Sequence, residues 1–135
     1  MSRSAPLIAL VDDDATHVLL VGLFLESQGY RTVHCQSAHE ALLLILQEQP
    51  GLVLLDVQME ERDSGLTILH ALRRTSSTAT LPVILCSGDI LFLHEQEHEI
   101  RALGADILEK PVNFDTLLVK IQDALHPLQA KELGA

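Results

Sequence analysis

The chain has 135 residues, a length suited to one domain, and 47 % of them are apolar, too many for a disordered chain. Lys and Arg number 9 against 19 Asp and Glu; the net charge of −10 argues against a basic face of the kind that tracks a nucleic-acid backbone. Aromatic residues are 3 % and Trp is absent, so the core must be built from Leu, Val, Ile and Ala.

From the start, Met1-Ser2-Arg3-Ser4-Ala5-Pro6 has no apolar signal core, and no apolar run is long enough to span a bilayer, so a cytoplasmic protein is expected. Leu7 to Val11 is a short apolar run ending in three aspartates. Thr16 to Gln28 has helical spacing, with Val18, Leu19, Leu23 and Phe24 apolar and Gly29 as a stop. Arg31 to Cys35 reads as a second strand. Ser37-Ala38-His39-Glu40 has the capping-box pattern and opens a helix to about Gln47, closed by the Pro50-Gly51 turn.

Leu52 to Leu55 is fully apolar, as in a strand covered on both faces, and ends at Asp56. A polar stretch from Gln58 to Ser64 leads into a helix from about Leu66 to Arg74, followed by a polar loop, Thr75 to Thr80. Pro82 to Cys86 is the fourth apolar run, ending in Ser87-Gly88-Asp89. Ile90 to Leu103 reads as a helix closed by Gly104. Ile107 and Leu108 sit in a fifth strand, which ends at Lys110-Pro111. Asn113 can cap a last helix that runs to about Leu125 and stops before Pro127.

Five strand-helix units in alternation give an α/β fold, a (βα)5 doubly wound parallel sheet with helices on both faces. Ligands in such sheets bind beyond the carboxyl ends of the strands, near a topological switch point. Those ends carry Asp12, Asp13 and Asp14, then Asp56, Ser87 and Lys110. Strand two offers only Gln36 and Ser37. Clustered carboxylates need a counter-charge; Mg²⁺ suits them as a hard cation, and Lys110 supplies a second positive charge. Asp14 reads as a loop or cap residue.

These pieces resemble the response-regulator receiver family, whose fold is CheY-like and flavodoxin-like. The resemblance rests on Val11-Asp12-Asp13-Asp14 with Gly29-Tyr30, Leu54-Leu55-Asp56-Val57-Gln58-Met59, Gly65-Leu66, Pro82 to Gly88, and Gly104 to Pro111. It covers roughly residues 6 to 125, and each piece is weak until all are found in order on strand ends. It implies five parallel strands in the order 2-1-3-4-5 and a single receiver domain over 1–135, with a core of about 6–125. Residues 126–135 would be a tail or the start of a linker, too short for an output domain.

The resemblance also implies roles. Asp56 would be the phosphoacceptor, taking a phosphoryl group from a histidine kinase or a histidine phosphotransfer protein. Asp13 would ligate Mg²⁺ directly, Asp12 mainly through a water, and the Gln58 backbone carbonyl would complete the protein ligands; Mn²⁺ can substitute. Ser87 would be the switch hydroxyl and Lys110 the phosphate-neutralising lysine, with a Lys110-Pro111 peptide that is often cis. Phosphorylation would switch the face of the fourth helix, fifth strand and fifth helix toward a downstream protein or output domain. Such a chain is a signalling switch rather than a turnover enzyme, with no direct nucleic-acid or membrane binding and with room for a homodimer.

Four positions depart from the family pattern. The loop after Asp56 commonly reads Met-Pro with a glycine eight residues past the aspartate. Here Glu60 follows Met59 and Gly65 lies nine residues on, so the loop is one residue longer. Ile107 stands where an aromatic switch residue is usual. Gly88 replaces the usual alanine, and the missing methyl would open the phosphoryl group to water. Gln58, two residues past the acceptor, would orient or block that water.

Other features have plainer readings. His94-Glu95-Gln96-Glu97-His98 matches H-E-x-x-H, but lies on a polar helix with no third ligand, and reads as a solvated face. His17 lies near the carboxylate edge. Cys35 and Cys86 read as buried free thiols. The competing functions are a pseudo-receiver that binds protein independently of phosphorylation, and an aspartyl-phosphate phosphatase. Gln58 stands where such a phosphatase has its second aspartate, which speaks against it.

Overall fold

A computed structural model describes residues 5–126; residues 127–135, the greater part of the expected tail together with Pro127, lie outside the described residues. The strands are β1 (Leu7–Val11), β2 (Arg31–Cys35), β3 (Leu52–Asp56), β4 (Val83–Ser87) and β5 (Asp106–Glu109). The helices are α1 (Ala15–Ser27), α2 (Ala38–Glu48), α3 (Ser64–Arg74), α4 (Ile90–Ala102) and α5 (Phe114–Leu125). All strand pairs are parallel, in the order β2-β1-β3-β4-β5, as the resemblance implies.

Strand periodicity explains the two-sided core. Successive residues of a strand face opposite sides of the sheet, so a strand apolar at every position serves two helix layers. Ile8, Leu10, Leu52, Leu54, Ile84 and Leu108 meet α1 and α5 through Val21, Leu25, Leu117 and Ile121. Ala9, Val11, Val53, Leu55, Val83 and Leu85 meet α2, α3 and α4 through Ile45, Leu69, Leu72, Leu93 and Ile100. Leu55, Leu69, Leu85 and Leu117 are fully buried, and truncating any of them to Ala costs about 2–5 kcal/mol.

The helix starts follow their caps. Asp14 accepts from the N–H groups of Thr16 and His17, at 3.0 and 3.2 Å, and so opens α1 one residue earlier than Thr16. Asn113 accepts from Thr116 N–H at 3.0 Å and opens α5. Ser37 accepts from Glu40 N–H at 3.3 Å, the expected half of the capping box. The N–H of Ala38, the first residue of α2, is taken by Glu60 Oε1 at 2.9 Å, so the longer loop after β3 reaches the start of α2. The loop read from Thr75 to Thr80 contains a 3₁₀ turn over Ser76–Thr78, where buried Thr78 donates to Leu72 O at 2.7 Å. Both cysteines are free and buried.

β1 is the point where the chain order reverses: β2 lies on one side of it and β3 on the other. The crevice above the carboxyl ends of β1 and β3 is therefore the place for a ligand.

Candidate functional site

The ladder hydrogen bonds run one step past the strands and fix that crevice. Asp12 N–H donates to Cys35 O at 3.2 Å, Val57 N–H to Cys86 O at 2.9 Å, and Lys110 N–H to Ser87 O at 2.9 Å. Asp12, Asp56 and Ser87 thereby become buried, with exposures of 5, 6 and 0 %, while Asp13 is exposed at the lip. A carboxylate oxygen from each of Asp12, Asp13 and Asp56 lies within 4.8 Å of the other two.

Lys110 is the counter-charge. Its Nζ donates to Asp12 Oδ2 at 2.7 Å and stands 3.5 Å from Asp56 Oδ1. Burial disfavours the ammonium, but the hydrogen bond to Asp12 and the charges of Asp56 and Asp12 outweigh it, so the Lys110 pKa lies above the usual lysine value. The Lys110–Pro111 peptide is cis. Asp12 has both oxygens engaged, because Oδ1 accepts from Asp14 N–H at 2.9 Å. Among the described residues the Asp13 carboxylate accepts no hydrogen bond.

Asp56 is short of positive charge. Burial first, then the charges of Asp12 and Asp13, raise its pKa to about 6 against the pull of Lys110 and the Gln58 N–H. A hard divalent cation among the three carboxylates would relieve that crowding, and an all-oxygen set of this kind fits one.

Ser87 Oγ accepts from Asp89 N–H at 2.9 Å, which leaves its own proton free to donate. Beneath the carboxylates Cys86 is fully enclosed; burial pushes its thiol up to about 12 and keeps it protonated. His17 flanks the site with Nε2 3.6 Å from Asp12 Oδ2. Burial and the Lys110 charge hold its pKa below the usual histidine value, against the opposite pull of Asp12 and Asp14.

Gly65 closes the site from below. Its N–H donates to Val57 O at 2.7 Å, and a Cβ there would collide with Asp56 O and come within 2.7 Å of Val57 Cα. The extra residue is absorbed above this contact, where Glu61 N–H and O both bond Ser64 Oγ, at 2.9 and 3.1 Å. Gly88 has no atom nearer than Lys110 Cβ, 3.9 Å from where its own Cβ would be. Ile107 is half-buried and packs on the core beside α4.

Asp12, Asp13, Asp56, Ser87 and Lys110, expected on one edge from the sequence, lie together there. Asp89 and Arg62 join the site as well, without being expected there from the sequence. Asp89 directly precedes an apolar helix start, which is a cap signal; Arg62 carries no signal of its own. His94, His98 and Glu95 are exposed on α4, and among the described residues they belong to no cluster of three ligating groups.

A family model described as "Response regulator receiver domain" matches residues 8–122. The chain is 29 % identical to the DNA-binding dual master transcriptional regulator RpaA of Synechocystis sp., over 89 % of this chain and 49 % of that protein. It is 33 % identical to the nitrogen assimilation regulatory protein NtrX of Azorhizobium caulinodans, over 92 % of this chain and 27 % of that protein. It thus spans half or less of these curated relatives. Among solved structures, the chemotaxis protein CheY4 of Vibrio cholerae superposes with a TM-score of 0.80 at 26 % identity, over 90 % of this chain and 99 % of that one.

Proposed function

Since this chain belongs to the response regulator receiver domain family of two-component systems, we propose that Asp56 accepts a phosphoryl group with Mg²⁺ bound at Asp12, Asp13 and Asp56. The observation that carries this reading is the buried Asp56 carboxylate held between two further carboxylates and the Lys110 ammonium. Among the described residues no other place gathers so much ionisable chemistry at a switch point.

Each residue has work that follows from its geometry. Asp13, exposed and uncommitted, is suited to ligate the cation directly. Asp12, with both oxygens already engaged, is suited to act through a water. The Gln58 carbonyl, two residues past the acceptor, would be the last protein ligand, as in the family pattern. A cation held by these residues would neutralise charge on the carboxylates and the incoming phosphoryl group. An Asp56 oxygen attacks phosphorus as the bond to the donor's leaving group breaks. Lys110 then meets one phosphoryl oxygen, and the free proton of Ser87 meets another.

The donor is a histidine kinase or a histidine phosphotransfer protein, and Mn²⁺ substitutes for Mg²⁺. The output is a change at the face of α4, β5 and α5, read by a downstream protein or an attached output domain. With Ile107 in place of an aromatic ring, the movement is carried by the Ser87 loop and α4. The chain is a switch that turns over only its own phosphoryl group. Among the described residues no helix is long and apolar enough to cross a membrane. As a receiver domain that meets a kinase's phosphoryl group, it is assigned to the cytoplasm. The experiment is phosphorylation by acetyl phosphate with Mg²⁺, read by intact mass.

A further inference from the structure

The rim above Asp56 is tied shut by side chains from two loops. Asp89, between β4 and α4, is held in three directions. Its Oδ1 accepts from Phe92 N–H at 3.0 Å. Its Oδ2 accepts from Gln58 Nε2 at 3.3 Å and lies 3.6 Å from Arg62 Nη2. The Arg62 guanidinium also lies over the Phe92 ring, 5.0 Å from its centroid. Phe92 is anchored in the core at 7 % exposure, so Arg62 has a fixed platform.

These contacts lead directly to the acceptor. Gln58 N–H points to Asp56 Oδ1 at 3.4 Å, and Asp89 N–H holds Ser87 Oγ at 2.9 Å. β3 and β4 are neighbours, with Asp56 opposite Cys86. Asp56, Gln58, Asp89 and Ser87 therefore ring the mouth between the two strand ends, and Arg62 closes the ring from outside. Arg62 comes from the loop that is one residue longer than the family pattern.

Resting on the reading of Asp56 as phosphoacceptor, we propose that Arg62 is a positioning residue that holds this clasp over the phosphoryl group and slows its hydrolysis. In hydrolysis a water oxygen bonds to phosphorus opposite the Asp56 oxygen. The bond from that oxygen to phosphorus breaks, its electron pair returns to the carboxylate, and the water's proton leaves as inorganic phosphate forms. The attacking water must come through the mouth, where Gln58 and Asp89 stand. Arg62 is 64 % exposed, so its contacts add little to the stability of the fold. They act on where Asp89 and Gln58 sit.

The test uses the full chain, wild type, Arg62→Ala and Arg62→Lys. Each is labelled from acetyl phosphate with Mg²⁺, desalted, and followed for release of inorganic phosphate; urea midpoints are measured in parallel. Loss of one exposed ion pair and one cation–π contact should speed release in Arg62→Ala about fivefold. The urea midpoint should stay unchanged, and Arg62→Lys, which keeps a cation beside Asp89 and Phe92, should restore most of the wild-type lifetime. Release from Arg62→Ala at the wild-type rate, or slower, overturns the clasp and leaves the phosphoacceptor reading standing. Failure of the wild type to take up any phosphoryl group overturns both.

Discussion

Lys110 is bound to Asp12 more closely than to Asp56: its Nζ is 2.7 Å from Asp12 Oδ2 and 3.5 Å from Asp56 Oδ1. The lysine therefore serves two buried carboxylates before any phosphoryl group arrives. Removing it leaves both without their cation.

Lys110→Ala should lower stability by about 2 kcal/mol in the absence of divalent cations, because buried carboxylates lose their partner. Added Mg²⁺ should recover a larger part of that loss than it adds to wild type. Urea denaturation with EDTA and with Mg²⁺ checks both. Equal effects of Mg²⁺ on the two proteins would refute the shared-charge account.

Asp56 gives a pH signature of definite sign. Its pKa in the folded state, about 6, is above the ordinary value of 3.8. A raised carboxyl pKa means that the fold favours the protonated form. The contribution of Asp56 to stability is thus complete below about pH 4 and is lost as pH rises through about 6. Asp56→Asn has no charge to lose. Without divalent cations it should be more stable than wild type by roughly 2 kcal/mol above pH 6, with the gap closing toward pH 4. Thermal melts across that range measure it; a gap that widens toward low pH would reverse the sign.

Gly65→Ala should be severe for its size. The added methyl would strike the Asp56 carbonyl and Val57 Cα, which are backbone and cannot swing away. A loss of about 2–3 kcal/mol is expected, with weakened phosphorylation as the loop shifts. Wild-type stability in this variant would mean that α3 starts farther from β3.

Gly88→Ala is the opposite case. Its methyl would meet only Lys110 Cβ at 3.9 Å, an ordinary contact, so stability should change by less than about 0.5 kcal/mol. The methyl would cover part of the route to the phosphoryl group. Phosphate release should slow; equal or faster release than wild type would refute this.

Much of this was legible because it is local. Strand ends show as the last apolar residue of a run, so the sequence alone places Asp12, Asp56, Ser87 and Lys110 on one edge. Caps at Asp14 and Asn113 follow from residue type. Other features depend on where surface loops cross. The reach of Glu60 to Ala38, and of Arg62 to Asp89 and Phe92, joins residues 22 to 30 apart in sequence, and no periodicity encodes it. The choice of Lys110 between Asp12 and Asp56 likewise depends on side-chain reach, which strand order does not set.

The most direct test of the central claim is intact mass after incubation with Mg²⁺ and acetyl phosphate, on wild type and Asp56→Asn. The prediction is a gain of one phosphoryl group by wild type, dependent on Mg²⁺ and absent from Asp56→Asn. No gain in wild type, or an equal gain in Asp56→Asn, would contradict it.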